Sequence, residues 1–391
     1  MGPYHCYLPC TWIHSLQFHF TWNLAATKNH VSPLRKAQIA NRFSFCSMRQ
    51  IISDYARLLR IPGLAGLSIA PVFGALSVHE LDWMKLSILF LIGAFTSIYG
   101  FVLNDIIDVN IDKLSKELSN RPLVKGTISK KTALLICILC FIGTIVTIFL
   151  VFYTPSRPAF FLGLLCILLS AGLGSIYNIY GKKLIGSDFL VALSEAFLVL
   201  FGALMVVQTT AQLTLFTWVI FILTFCQLLF MNAIEGGIKD ADHDPLMNVK
   251  NIALASGVRV TDDRKLTIPA SFKIFGFAIQ LCAVTFVFVP FIVTEPLFTF
   301  EIWRLIHLVL LALFAIGVLF VSAKLLMLHT FERNKIRKLI TAETFLRYSL
   351  VPIMLIPLIE FFPALILLIL PFIWYVLFAP LIGEKLFRPG L

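Results

Sequence analysis

Apolar residues fill most of the chain in long blocks, interrupted by short stretches that carry Lys, Arg, Pro or Gly. A typical block runs to about 20 residues, the length at which a helix crosses the hydrocarbon of a bilayer. The pattern predicts spans near 62–79, 85–103, 132–153, 158–178, 189–208, 213–234, 270–294, 303–328 and 345–380. The last is too long for one helix. Pro363 near its middle, just after Glu360, makes it either one tilted, kinked helix or a tight hairpin of two. The expected fold is an all-α membrane protein, a bundle of about nine transmembrane helices.

Residues 1–47 do not share this pattern. They hold four of the eight His, show no 3.6-residue period, and lack an apolar core followed by a small-residue cleavage site. They do not read as a signal peptide. From Met48 the chain runs MRQIISDYARLLRIPGLAGLSIAPVFGAL, a basic amphipathic lead-in passing into an apolar span. The expected organisation is a tail of residues 1–47, disordered or without function, and a transmembrane domain of residues 48–391 that begins at Met48.

Composition excludes an ordinary soluble enzyme. Hydrophobic residues make up 59% and charged ones 14%, against about 25% charged in a typical soluble domain. The formal net charge of +11 is carried unevenly. The loops after the second, fourth, sixth and eighth spans hold eighteen Lys and Arg, whereas the alternate loops offer only Lys85 and Arg157. By the positive-inside rule the N-terminus and the basic loops face the cytoplasm. Nucleic acid is not an expected partner, because the aromatic residues are mostly Phe within apolar runs and no basic stripe interleaves with them. The eight Cys do not suggest a metal or disulfides: Cys137 and Cys140 form a C-x-x-C inside an apolar run, where thiols are small filler, and Cys6, Cys10, His5 and His14 match no zinc spacing.

The basic loops also carry acids. After the second span the chain reads YGFVLNDIIDVNIDKLSKELSNRPLVKG, with Asn104, Asp105, Asp108 and Asp112 recurring at steps of one, three and four. On a helix the three Asp share one face. Carboxylates this close repel one another unless a cation sits among them, and oxygen ligands in this pattern suit Mg²⁺ that retains several waters. A solvated acidic helix end is the bland alternative, but Asp at a helix C-terminus opposes the macrodipole and has no local reason to be there. After the sixth span, FMNAIEGGIKDADHDPLMNVKNIA places Asp240 and Asp244 one turn apart, with Glu235 and Asp242 near and Lys239 and Lys250 bracketing them. Both stretches fall on the same expected membrane face. Two carboxylate sets can share Mg²⁺ around a diphosphate, neutralising an anionic leaving group.

At these residues the chain resembles the UbiA superfamily of intramembrane prenyltransferases. The first stretch matches that family's N-D-x-x-D-x-x-x-D signature with its trailing N-R-P-L-x-x-G, here Asn120, Arg121, Pro122, Leu123 and Gly126. The opening span is similar too, with Arg60, Pro71 and Gly74 in LLRIPGLAGLSIAPVFGAL. SIYNIYGKKLIGSD resembles the family's Tyr-to-Lys loop, with Tyr177 and Lys182. The resemblance covers roughly residues 48 to 380. It implies a nine-helix bundle with a cytoplasmic-face active site, where Asp105, Asp108, Asp112, Asp240 and Asp244 are catalytic and hold Mg²⁺. Asn104, Arg121, Lys125, Tyr177, Lys182, Lys250 and Arg60 would bind the diphosphate of a polyprenyl donor. One departure is Gly236 and Gly237, where the family often carries a further acid just upstream of D-x-x-x-D; Glu235 is the nearest replacement.

The expected activity is Mg²⁺-dependent transfer of a polyprenyl group to a lipid-soluble or interfacial acceptor within the bilayer, either an aromatic or quinone precursor or a prenylated glycerol phosphate. GGIKDADHD and IYNIYGKKLIG look closer to the glycerol-phosphate branch, whereas the nine-residue step from Asp112 to Arg121 looks like the aromatic-acceptor and haem branches. Allylic diphosphates ionise by losing diphosphate, so charge on the leaving oxygens must be stabilised, a task suited to Mg²⁺ with Arg121, Lys125, Lys182 and Lys250. The cation formed must be kept from water, which greasy aromatic walls achieve. Glu195, an acid inside a span, is expected to face the bundle interior. A terpene cyclase acting on the diphosphate alone shares every motif. A cation-coupled transporter is the reading from another class.

Overall fold

The computed structural model describes residues 48–113, 117–293 and 302–383. The expected tail, 1–47, lies outside the described residues. The chain divides into two units, Met1–Ile52 and Ser53–Leu391; the spans described below belong to the second. Among the described residues, nine helices are long and apolar enough to cross a membrane. They are α2 (Trp83–Asp112), α3 (Lys130–Phe152), α4 (Pro158–Tyr180), α5 (Asp188–Val206), α6 (Leu215–Lys239), α7 (Ala270–Val293), α8 (Ile302–Leu326), α9 (Arg333–Ile359) and α10 (Phe361–Phe378). A helix closes all its backbone hydrogen bonds within itself, which is why hydrocarbon admits it.

Two expected boundaries change. The segment 345–380 is a hairpin: α9 starts at Arg333, Glu360 takes φ +67°, and α10 follows at once. The Tyr348 hydroxyl closes it by donating to Leu367 O at 2.8 Å. The expected first span is not one helix. It is broken into Ile61–Gly63, Leu64–Leu67 and α1 (Ala70–Ser77), and reaches span length only together with the bent helix before it.

The core runs through α5, of whose apolar window 61% is buried, against 17% in α10. Helices α3, α8 and α10 turn Leu135, Leu139, Leu150, Leu313, Ile316 and Phe372 outward, as lipid-facing helices do. With lipid on one side and helix on the other, close packing needs small residues. A Cβ on Gly74 of α1 would stand 1.9 Å from Val199 O, and one on Gly202 of α5 would stand 1.8 Å from Pro71 O. Glycine is what lets α1 and α5 touch backbone to backbone.

The connections alternate between two ends. At one end the α4–α5 loop meets the α6–α7 loop, where Lys250 N donates to Lys182 O at 2.9 Å. The α6–α7 loop carries a small antiparallel pair, β1 (Arg259–Val260) and β2 (Leu266–Thr267), laid against the α8–α9 loop through Leu266 N to His329 O at 2.9 Å and Phe331 N to Arg264 O at 2.8 Å. At the opposite end buried Arg157 donates to Phe152 O and Met205 O, at 2.9 and 2.8 Å, closing the C-termini of α3 and α5.

Candidate active site

Helix α2 does not stop at the expected boundary of 103. Asp82 caps its start by accepting from Met84 N and Lys85 N, and the helix runs on to Asp112. Asp105, Asp108 and Asp112 therefore share a helical face, and all three are buried, at 4%, 6% and 2% exposure. A buried carboxylate needs a partner, and each has one from another element. Arg121 places one guanidinium nitrogen 3.1 Å from Asp105 Oδ1 and 2.6 Å from Asp112 Oδ2. Arg60 reaches the same Asp105 oxygen at 3.4 Å. Lys182 Nζ stands 2.9 Å from Asp108 Oδ2.

Local backbone explains how these cations arrive. Arg121 precedes Pro122, which keeps it extended (φ −65°, ψ 137°) and starts a short helix, Pro122–Lys125. Arg60 sits in the break before α1 with φ 54° and ψ 33°, a left-handed conformation that costs a non-glycine residue energy and that the surroundings must hold. Its guanidinium lies 5.6 Å from the Phe101 ring centre. Asn104 donates to Asn178 Oδ1 at 3.3 Å, and Asn178 donates in turn to Gly100 O at 3.0 Å.

The second stretch is not regular helix. α6 changes to a wide π turn over Phe230–Gly236 before a last turn at Gly237–Lys239; such turns are rare and cluster at functional sites. Asp240 and Asp244 follow, both half-buried. Lys239 Nζ lies 3.7 Å from Asp240 Oδ2, and Asn251 donates to Asp244 Oδ2 at 2.8 Å. Burial, then the negative charge of Asp240, pushes the Asp244 carboxyl up to about 6, against the positive charges of His243 and Lys182. Asp242 turns instead to Arg333, whose Nη2 stands 2.7 and 2.8 Å from its two oxygens. His243 Nδ1 is 2.8 Å from Asp242 Oδ1.

The two stretches converge on α4. Lys182, bonded to Asp108 through its side chain, accepts at its carbonyl from Lys250 N, six residues beyond Asp244. Tyr177 of α4 donates from its hydroxyl to Asn232 Oδ1 in the π turn at 3.4 Å. Lys125 and Lys250 are exposed, and Lys250 joins the site through its backbone alone. Glu195 is half-buried in α5.

The chain matches the UbiA prenyltransferase family over residues 65–350. It belongs to that family. It is an integral, multi-pass membrane prenyltransferase. It is 30% identical over 216 residues to digeranylgeranylglyceryl phosphate synthase of Saccharolobus solfataricus, covering 53% of this chain and 70% of that one. It is 29% identical over 221 residues to 4-hydroxybenzoate octaprenyltransferase of Francisella tularensis subsp. tularensis, covering 54% and 72%. Among solved structures, a UbiA homolog from Archaeoglobus fulgidus bound to GPP and Mg²⁺ superposes with a TM-score of 0.55 at 18% identity, over 79% of this chain and 100% of the other.

Several contributors lie outside the family signature. Asn178, Asn232 and Asn251 bond signature residues, Arg333 neutralises Asp242 between two of them, and none has a spacing that marks it. Glu235, the acid nearest the missing upstream one, is taken up by an arginine. It is 1% exposed and paired with Arg347 at 2.6 Å. Gly237 has a packing reason, since a Cβ there would stand 2.4 Å from that of Ala253.

Among the described residues no three His, Cys, Asp or Glu converge tightly enough to form a ready-made cation site. The donor set nevertheless fits a hard divalent cation. It is all carboxylate oxygen, it comes from two segments, and its members are held by Arg, Lys and Asn rather than by one another.

Proposed function

We propose that this UbiA-family enzyme transfers a polyprenyl group from its diphosphate to a lipid-soluble or interfacial acceptor, a prenylated glycerol phosphate or an aromatic quinone precursor, using Mg²⁺. The observation that carries this reading is the meeting of the two acidic stretches at the end of α4, where Lys182 is bonded to Asp108 of the first and its carbonyl accepts from Lys250 N just beyond the second. Cations set among two carboxylate sets suit a polyanion, not a neutral ligand. Asp105, Asp108, Asp112, Asp240 and Asp244 would hold Mg²⁺, which supplies Lewis-acid neutralisation of the diphosphate oxygens.

The protein's own groups do the rest. Arg121, Arg60 and Lys182 bind the leaving diphosphate, and a guanidinium suits its oxygens especially well. Asn104 and Tyr177 orient from α2 and α4. Lys125 and Lys250 add long-range positive charge. The allylic C–O bond breaks, diphosphate leaves, the acceptor's nucleophilic atom bonds the prenyl carbon, and that atom's proton is released. The apolar bundle below the acids excludes water from the cation. The loop charge asymmetry supports a cytoplasmic position for this end, and the domain that acts begins at Met48.

Product mass spectrometry on purified protein in liposomes tests this, with geranylgeranyl diphosphate, Mg²⁺, and an acceptor panel of an aromatic acid, a naphthoate and a prenylated glycerol phosphate. An adduct with one acceptor is expected and identifies it. A cyclised product or free alcohol formed from the donor alone overturns the transfer reading.

A further inference from the structure

Helix α9 contributes nothing to the family signature, yet it grips the second acidic stretch at two points. Arg347, 4% exposed inside the bundle, donates from Nη1 to Gln227 O at 2.8 Å and from Nη2 to Glu235 Oε1 at 2.6 Å. Gln227 returns the contact, donating from Nε2 to Arg347 O at 2.8 Å. The same guanidinium lies 5.3 Å from the centre of the Phe230 ring. Residues 227, 230 and 235 bracket the π turn, Phe230–Gly236. Fourteen residues earlier, Arg333 holds both oxygens of Asp242, between Asp240 and Asp244.

A π turn inserts one residue into an α helix, so everything after it is rotated by about 100° relative to an uninterrupted helix. The wide turn thus decides which way the end of α6, and the acids beyond it, face. An irregular turn is not self-supporting, and a clamp that ties Gln227 just before it and Glu235 near its end to another helix holds it open. The four acids of the stretch therefore divide into two classes. Glu235 and Asp242 are taken up by arginines of α9, whereas Asp240 and Asp244 are not: Lys239 lies 3.7 Å from the one and Asn251 donates to the other.

We infer that α9 is a splint for the second acidic motif, with Arg347 as its principal positioning residue and Arg333 as its outer one. This rests on the Mg²⁺ reading above and adds which acids of the stretch are ligands and what aims them. Glu235 and Arg347 are 1% and 4% exposed, so the pair is placed to hold geometry rather than to meet substrate.

The test uses the full chain purified in detergent, Mn²⁺ as the probe with geranyl diphosphate present, binding read by electron paramagnetic resonance, and thermal unfolding in parallel. Arg347→Lys keeps the charge but cannot reach Gln227 O and Glu235 together. It is expected to bind Mn²⁺ about tenfold or more weakly, the cost usual for a group that orients metal ligands. Glu235→Gln keeps an oxygen facing Nη2 and should bind more tightly than Arg347→Lys. Arg333→Gln, at the exposed end of α9, keeps the question open to measurement if Arg347→Lys fails to fold. It should weaken Mn²⁺ binding about threefold, as loss of a partly exposed ion pair would. Undiminished Mn²⁺ affinity in a folded Arg347→Lys, or in Arg333→Gln where that protein does not fold, overturns the splint. Absence of Mn²⁺ binding by the wild-type chain overturns the metal reading itself, and the inference with it.

Discussion

The two acidic motifs lie at one end of the same bundle and are built by opposite means. In the first, a regular helix carries the acids and the cations come to it: Arg60 from the break before α1, Arg121 from the loop after α2, Lys182 from the loop after α4. In the second, the acids follow a π turn and a loop, and other elements must hold them, Asn251 from beyond and two arginines from α9. A helix fixes the direction of its side chains from its own backbone. An irregular segment does not, and its aim has to be set by tertiary contacts. The difference predicts that substitutions near the first motif act through charge, whereas those near the second act through geometry.

The comparison breaks most sharply at the acids themselves. Asp108→Asn and Asp240→Asn are each expected to reduce turnover by about a hundredfold or more, as when a group stabilising developing charge is removed, while the protein stays folded in detergent. Full activity in either would remove that motif from the mechanism. A smaller effect separates charge from shape at Arg121, which one nitrogen ties to Asp105 and Asp112. Arg121→Gln should lower turnover about tenfold to a hundredfold, the range for a hydrogen-bonded group shaping such a site. Arg121→Lys should recover part of it, because Lys supplies the charge without the planar guanidinium. Equal loss in both would mean that planar geometry, not charge, dominates at the first motif too.

The same contrast governs how much could be read from sequence. The first motif was readable as N-D-x-x-D-x-x-x-D because steps of three and four fall on one face of a helix, and α2 continues far enough to use them. Arg121, Lys182, Tyr177 and Arg60 followed from the family resemblance, and the structure brings Arg121, Lys182 and Arg60 onto those acids. The spans are readable from hydropathy, and the length of the last segment with Glu360 and Pro363 leaves a hairpin as one of two readings, but the break in the first segment is not readable, since apolar runs of helix and of turn look alike to a sliding window. Arg347 and Arg333 were counted only as part of a basic loop. Nothing local in RNKIRKLITAETFLRYSL marks which arginine turns inward, because the π turn that calls for one is itself a tertiary outcome. The same holds for Glu235, whose pairing with Arg347 is likewise a tertiary outcome that its neighbours in sequence do not mark.

Packing behind the second motif provides a still smaller test. Gly237→Ala would bring a Cβ to 2.4 Å from that of Ala253, a forced overpacking that typically costs about 1–3 kcal/mol. Lower thermal stability and weaker activity are expected together, because the helix Ile252–Ala255 that carries Ala253 is capped by Asn251, which also donates to Asp244. Ala253→Gly in the same chain should restore much of both. Failure of that second change to restore activity, with stability recovered, would mean that residue 237 affects the site by some route other than this contact.

The smallest expected effect is at the N-terminal side. Among the described residues, the earliest that touches either motif is Arg60, and the acids of the second motif are held only from the α4–α5 loop onward. Arg60 itself is placed by a left-handed backbone at the break before α1, and the lead-in is tied down through Arg57, which donates to Ile382 O at 3.2 and 2.6 Å. These anchors all lie beyond Met48. A chain starting at Met48, compared with the full chain in liposomes on the same acceptor, should therefore show unchanged turnover and unchanged donor KM. A raised donor KM with unchanged thermal stability would mean that residues 1–47 supply a group to the diphosphate, and that the first motif, like the second, is completed from outside its own helix by more than the three cations seen around it.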